Sequence, residues 1–371
     1  MLSTITTILL IAYIAIQCCC LLALVLSTPD QTQPVPEKEL PHVSILIAAR
    51  NEERNIAKSL KAIHQLYYPT HLLDVWIGND ASEDKTADII QKFIADKPHM
   101  HLLNITQHVG NAKGKANVLA QLAAQAQGEI LFITDADITV NRNWISSIVP
   151  YFADKTMGLV SGTTVVKDKG YMGRMQEVDW LYFMGMLKAF ANLGIKCTAV
   201  GNNMAVRKTA YLQTGGYEHL PFSITEDYTL YKEVRKHKWQ TANILNAPSL
   251  NRSAAVCTFA TLLQQRKRWL TGAKQLPWYW WLVFGLFGLF WPALLLLAYY
   301  NPVGAAIIYG FKLSLQTATI VWLQHRLQIK KNIDYLLGFE YYSALVSLAT
   351  QIFFLLPIRV QWKKRSYPSI G

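Results

Sequence analysis

Apolar residues along this chain fall into runs of two lengths, and each length predicts a different kind of element. Residues 5–26 form one uncharged apolar stretch. A helix of that length crosses a bilayer core of ~30 Å. A cleaved signal peptide would carry a basic start, a shorter apolar run and a small-residue cleavage site. Residues 1–27 lack that arrangement and read as a membrane anchor. Residues 28–41 hold four prolines among polar residues and read as a linker. From residue 42 the apolar runs shorten. Residues 43–49, 72–78 and 129–134 are nearly continuous apolar stretches, as expected of strands buried on both faces. Helical patterns lie at residues 53–66, 85–95 and 115–126. Strands alternating with helices predict an α/β architecture, a doubly wound, mostly parallel sheet that binds ligands at the carboxyl ends of its strands.

Long apolar runs return beyond residue 251. Residues 278–300, 302–323 and 336–358 predict about three C-terminal membrane helices, with Lys312 inside the second and Glu340 near the start of the third. Arg266, Lys267, Arg268 and Lys274 precede the first of these spans, and Arg326, Lys330 and Lys331 follow the second. The positive-inside rule puts both flanks in the cytoplasm. Three crossings would leave Arg359, Lys363, Lys364 and Arg365 outside, against that rule. Either one segment lies in the interface or the tail is an exception.

Composition agrees with a folded domain joined to membrane segments. The chain has 371 residues, a net charge of +12 and half of its residues hydrophobic. The positive charge fits membrane flanks and a polyphosphate cleft, and no nucleic-acid-binding signature accompanies it. Five cysteines, Cys18–Cys20 together and Cys197 and Cys257 alone, form neither a zinc pattern nor a disulfide framework. Residues 110–115 resemble a P-loop only faintly: the glycine spacing is one residue short, and Ala116 stands where a hydroxyl should bind Mg²⁺.

The candidate chemistry lies at the strand ends. The first strand runs into Arg50-Asn51-Glu52-Glu53, the second into Asn79-Asp80, and the third into Asp135-Ala136-Asp137. Acidic residues also cap helices, and Glu53 and Asp84 fit that plainer role. Asp135 and Asp137 stand two apart directly after a buried strand, where a divalent cation would relieve their repulsion. Glu226-Asp227 opens a helical pattern, with Thr225 as its expected cap, and Gln265-Arg266-Lys267-Arg268-Trp269 stands just before a membrane span. By itself the latter reads as a basic interface segment with a Trp anchor. Residues 171–193 are aromatic and Met-rich at helical spacing, which favours core, with Asp179 and Trp180 as minor candidates.

In order, these segments resemble the family 2 glycosyltransferases, in particular the membrane-embedded branch with cellulose, hyaluronan and poly-N-acetylglucosamine synthases and ceramide glucosyltransferase. The opening of residues 43–53, Gly114-Lys115-Ala116-Asn117 and Gly215-Gly216-Tyr217 add to the likeness, which covers roughly residues 42–275. The resemblance implies a nucleotide-sugar-binding GT-A-like catalytic domain at 42–250, an interfacial segment at 251–276 and a C-terminal transmembrane region at 277–371. It implies that Glu52 and Asp80 hold the uracil and ribose side of a UDP-sugar, with Lys115 and Asp135 also at the donor. Asp137 would ligate Mg²⁺ or Mn²⁺, and Asp227 would be the general base. Glu226, Gln265, Arg268 and Trp269 would serve the acceptor and diphosphate end. The activity implied is inverting transfer to a lipid or polysaccharide hydroxyl at the cytoplasmic face of a plasma or inner membrane. Two departures stand out. Ala120 replaces a common Asn, and the few spans do not suit a polymer channel. The rival readings are a non-catalytic membrane scaffold, or partner subunit of a polysaccharide synthesis complex, and a nucleotidyltransferase. Neither rival accounts for the full set of carboxylates followed by the Gln265–Trp269 segment.

Overall fold

The computed structural model describes residues 2–28, 30, 33–168, 170–195, 198–330, 334–363 and 365–367. Cys197, Lys331 and Lys364 lie outside these residues. In chain order the elements begin with helix α1 (Leu2–Val25), β1 (Val43–Ala49), α2 (Ile56–His64), β2 (Leu73–Asn79), α3 (Thr86–Ile94) and β3 (Met100–Asn104). Then come α4 (Lys115–Gln125), β4 (Ile130–Asp135), β5 (Ile138–Thr139), α5 (Trp144–Ile148), β6 (Met157–Ser161), β7 (Thr164–Val166) and α6 (Tyr171–Asn192). These lead to β8 (Asn203–Arg207), α7 (Lys208–Gln213), α8 (Gly216–His219), α9 (Glu226–Lys236), β9 (Gln240–Asn243) and β10 (Asn251–Ser253). Helices α10 (Phe259–Ala273), α11 (Trp278–Tyr300), α12 (Pro302–Arg326) and α13 (Asp334–Leu355), then β11 (Val360–Trp362) and β12 (Arg365–Tyr367), complete the chain.

The chain forms two compact units. The sheet-bearing unit comprises Pro29–Lys167 and Thr198–Ala255. Its main sheet has the order β3-β2-β1-β4-β8-β6-β9, parallel except where β8 runs against β4 and β6. The central strands read as continuous apolar runs because both faces are covered, and Val43, Ile45, Ile47, Val75, Ile77 and Phe132 are inaccessible to solvent. The register pairs Ala49 with Asn79 and Ala48 with Asp135, so β2, β1 and β4 finish nearly level. The loops that follow therefore share one edge of the sheet. A buried amide pins the antiparallel strand. Asn203 accepts from the Trp144 indole at 2.8 Å and donates to the carbonyls of Thr163 and Ser249 at 2.8 and 2.9 Å. These bonds supply the partners that a buried polar group requires.

The helical unit comprises Met1–Thr28, Asp168–Cys197 and Val256–Gly371. The apolar faces of α1, α11 and α12 pack through Leu10, Tyr13, Phe290, Leu294 and Ala305. Among the described residues, α1 from Thr4, α11 and α12 are long and apolar enough to cross a membrane. Two C-terminal candidates thus stand where about three were expected. Helix α13 forms over the third apolar run, but Glu340, Ser343, Ser347, Thr350 and Gln351 interrupt it. With two crossings, the basic flanks before α11 and after α12 fall on one membrane side, and Arg359 and Lys363 need not lie opposite them.

Polar contacts also sit among these apolar helices. The Tyr182 hydroxyl donates to Gln17 Oε1 at 2.5 Å. Lys312 of α12 forms an ion pair with Glu340 of α13, and Gln316 Nε2 donates to the same carboxylate at 2.8 Å. Lys312 and Glu340 are only 4% and 2% exposed, so neither charge has water to fall back on. Removing one partner of such a pair costs about 3–5 kcal/mol, whereas replacing both with apolar groups is near neutral. Glu340→Leu should therefore lower the thermal unfolding midpoint in detergent sharply, and adding Lys312→Met should restore most of it. Equal midpoints for the Glu340→Leu variant and the parent would contradict the pairing.

Candidate active site

The site begins at the level strand ends of the sheet-bearing unit. Past β1 and β2 the chain turns through Asn51 (φ 53°) and Ala81 (φ 50°), both left-handed and neither a glycine. Such residues persist only where the surroundings over-determine them. Here the two loops are stitched together. Asp80 N donates to Ala49 O at 2.9 Å, Asn51 N to Ser82 Oγ at 3.1 Å, and Glu83 N to Asn51 Oδ1 at 2.9 Å. Arg50 adds a bond to the Asp80 carbonyl at 2.5 Å. Glu52 is anchored through its N–H to Thr86 Oγ1 at 2.7 Å, and its carboxylate accepts from Asn55 at 2.9 Å. Glu52 and Asp80 are both buried at this edge. Asp84 spends its oxygens locally, on Thr86 and on the Glu53 N–H, as its plainer reading expected.

Lys115 is the first residue of α4. Gly114 before it adopts φ 57° and ψ −132°, a combination open to glycine. From there the Lys115 ammonium reaches Asp135 Oδ1 at 2.6 Å and Glu226 Oε1 at 2.9 Å. Burial by itself would push this lysine's pKa down, but Asp135 and Glu226 outweigh burial and hold it well above the ordinary value. One ammonium thus joins the end of β4 to the first turn of α9.

Asp227 follows Glu226. Thr225 makes no capping hydrogen bond. The Asp227 carboxylate instead accepts from the Gly201 N–H and the Tyr228 N–H, each at 2.8 Å. Gly201 is required by space, since a Cβ there would lie 2.8 Å from Asp227 Cβ. Burial first, then the Glu226 charge, pushes the Asp227 pKa up to about 6, while Lys115 and the two N–H groups pull the other way. Glu226 also lines a narrow cleft with room for about one water, together with Ala112, Tyr217, Phe222 and Ser223. The Tyr217 hydroxyl is buried without a hydrogen-bond partner, and burial, then Glu226, raises its pKa well above the ordinary phenol value.

The structure thus brings together Lys115, Asp135, Glu226 and Asp227, and sets Glu52 and Asp80 along the same sheet edge. Asp137 is half-buried in the turn between β4 and β5. Among the described residues, no three Asp, Glu, His or Cys side chains gather into a ready-made cation site. Asp135 is engaged by Lys115, so the donor set fits a cation held by one carboxylate and mainly by a ligand's phosphate oxygens, a common habit of Mg²⁺. Sequence reasoning gave no role to Gly201, whose contribution is a backbone N–H, or to Tyr217. The only signal for Tyr217 was the Gly215-Gly216-Tyr217 segment.

Gln265, Arg268 and Trp269 lie on α10 of the helical unit, which begins with a Thr258–Thr261 capping box. Arg266 forms an ion pair with Asp179 and stacks over Trp269 at 4.5 Å. Trp269 meets Trp180 edge-on at 5.3 Å and Phe183 in a stack at 6.1 Å. Gln265 Oε1 and Trp180 Nε1 are buried without hydrogen-bond partners. Lys267 has a structural task, donating to the carbonyls of Phe353 and Leu356 at 3.0 and 2.6 Å. It thereby satisfies carbonyls that the end of α13 leaves open.

Comparison with known proteins identifies the family and the fold. The chain is 28% identical over 264 residues to the beta-monoglucosyldiacylglycerol synthase of Synechocystis sp., a match covering 68% of this chain and 53% of that protein. It is 25% identical over 241 residues to a poly-beta-1,6-N-acetyl-D-glucosamine synthase of Staphylococcus epidermidis, covering 63% of this chain and 55% of the relative. The chain spans about half the length of these curated relatives. The fold matches a mannosyltransferase from Pyrobaculum calidifontis solved with GDP-Man and Mn²⁺, with a TM-score of 0.60, 19% identity and coverage of 96% of this chain and 99% of that one. The family model for Glycosyl transferase family 21 matches residues 2–368, and the chain belongs to that family.

Proposed function

We propose that this protein transfers a sugar from a UDP-sugar to a hydroxyl of a membrane lipid, with inversion at the anomeric carbon. The observation that supports this best is the Lys115 junction. It ties Asp135 at the sheet edge to Glu226 and so positions the adjacent half-buried Asp227, whose pKa burial and the Glu226 charge raise against the pull of Lys115. A carboxylate with a pKa near 6 is a competent base near neutral pH, because it is ionised yet still takes a proton. Asp227 accepts the proton of the acceptor hydroxyl, whose oxygen bonds to the anomeric carbon as the bond to the nucleoside diphosphate breaks. One base on one face requires no covalent sugar–enzyme intermediate. Glu52 and Asp80 hold the nucleoside. A Mg²⁺ or Mn²⁺ ion beside Asp137 would offset the charge of the diphosphate. Roles for Gln265, Arg268 and Trp269 at the acceptor and the leaving diphosphate rest on their motif. The lipid acceptor follows the Synechocystis relative, whose name specifies a diacylglycerol product, and the presence of three candidate spans. The basic flanks of α11 and α12 support a cytoplasmic side for the transfer reaction.

UDP release over a panel of UDP-sugars, with membrane-lipid extract as acceptor, tests this reading. Release should require Mg²⁺ or Mn²⁺ and stop with EDTA. Asp227→Asn should still fold and bind UDP, yet lose roughly 10²–10⁴-fold in rate, the usual share of a general base. Release by this variant at the parent rate would remove Asp227 from the mechanism.

The pH dependence follows from the direction of the shift. Asp227 must be ionised to act, and its pKa lies near 6. Accordingly kcat/KM should rise about tenfold per pH unit at low pH and level off above neutrality. Glu226→Gln removes a charge that raises this pKa, so the rise should move to lower pH. A profile that stays in place in this variant would show that another group controls it.

A further inference from the structure

Within the helical unit, one stripe of α6 is given over to holding α10. Gln176, Asp179, Trp180 and Phe183 recur at the three- and four-residue steps that share a helix face. Gln176 pins the approach to α10 twice, donating to the Val256 carbonyl at 3.0 Å and accepting from the Val256 N–H at 3.1 Å. One turn further, Asp179 holds Arg266, and Trp180 and Phe183 pack on Trp269. Helix α6 is itself closely seated, since a Cβ at Gly185 would lie 2.4 Å from Leu323 of α12.

Two sides of α10 are occupied by such contacts. Arg266 and Trp269, three residues apart, take the side towards α6. Gln264 and Lys267, also three apart, take a second side. Gln264 Oε1 accepts from the Gln361 N–H at 3.0 Å, and Lys267 donates to the carbonyls at the end of α13. Successive residues of a helix turn by ~100°, so Gln265 and Arg268 share the sector between these two sides. The contacts on either flank fix the rotation of α10 about its axis, and with it the direction of Gln265 and Arg268.

We infer that Asp179 is a positioning residue for sugar transfer: through Arg266 it sets the rotation of α10 and so aims Gln265 and Arg268. This role rests on the transferase reading, in which the motif gives those two residues to the acceptor and the leaving diphosphate. Among the contacts towards α6, the ion pair is the directional one. A planar guanidinium meets a carboxylate in a fixed orientation, whereas ring packing tolerates sliding. The same guanidinium lies over the Trp269 ring at 4.5 Å, so a shift of Arg266 loosens that contact as well.

The experiment compares the parent, Asp179→Asn, Asp179→Glu and the double variant Asp179→Leu/Arg266→Met, each as the full chain in detergent. UDP release gives kcat and the donor KM, thermal unfolding gives stability, and hydrogen–deuterium exchange follows residues 259–273. The double variant removes both charges of a pair largely withdrawn from water, so its unfolding midpoint should stay near that of the parent. Its kcat should nevertheless fall roughly 10- to 100-fold, the order of loss that a ~1 Å misplacement causes, while the donor KM changes less than about twofold. Residues 259–273 should exchange faster in it. Asp179→Asn should show the same loss of kcat, and Asp179→Glu, which keeps the pair, should recover most of it. A folded double variant as active as the parent would reduce the pair to packing and overturn the role. Activity lost only in proportion to unfolded protein, or unchanged exchange across residues 259–273, would overturn it too. A folded parent that binds UDP-sugars yet releases no UDP from any of them, with lipid acceptor and metal supplied, would instead remove the transferase reading and this role together.

Discussion

A single ammonium organises the sheet edge that carries the candidate active site. Lys115 stands between Asp135, at the end of a central strand, and Glu226, at the start of α9. Without a cation there, two carboxylates from distant parts of the chain would face each other in a poorly solvated cleft, an arrangement that neutralises itself by proton uptake or opens. With it, α9 is fixed to the sheet edge, and the next residue, Asp227, takes its position from that fixture. The loop before Lys115 is held for the same purpose. Asn117 accepts from the Val109 N–H and donates to the Gln107 carbonyl, both at 2.9 Å, and so fixes the approach to α4.

The helical unit solves a different problem with similar means. Its helices are apolar enough to pack in lipid, where helix ends and charges must find partners within the protein. Lys267 closes the carbonyl end of α13, and Glu340 gathers Lys312 and Gln316 from α12. Basic residues near a membrane thus differ in purpose. Lys267 is a cap, Arg266 is a partner for Asp179, and Lys312 is half of an interior pair.

Much of this was legible in the chain because it depends on local pattern. The apolar run at 43–49 is β1, and 278–300 is α11. The helix expected at 53–66 begins only at Ile56, since the residues before it are engaged in loop contacts with Thr86 and Asp84. Alternation alone cannot report such tertiary demands. A mostly parallel sheet was expected and is found; which strand of the seven-stranded sheet is reversed, β8, was not legible because direction depends on how distant segments pair. At the site, the acidic residues were visible as types in order. The Gly201 N–H was not, because any residue carries a backbone donor and only the fold aims it at Asp227. The membrane count differed for a chemical reason: the polar residues on α13 reduce its apolar character without stopping it from being a helix.

Glu226 and Asp227 are neighbours of the same chemical type, and their surroundings give them different work. Glu226 is bound to a lysine, so its charge is already matched. Asp227 has two backbone N–H groups fixing its orientation and feels Glu226 as a repelling charge. Environments that divide two adjacent carboxylates in this way commonly mark which one exchanges a proton. The division is geometric before it is electrostatic. Consecutive residues at the start of a helix point about 100° apart, so one reaches the lysine while the other turns towards Gly201. Exchanging the two side chains would keep both charges and lose the arrangement, since the Asp227 carboxylate already meets the Gly201 N–H at 2.8 Å and a Glu would carry its carboxylate one methylene further, while an Asp at 226 would fall one methylene short of Lys115. The order Glu-Asp therefore matches the reach each position needs.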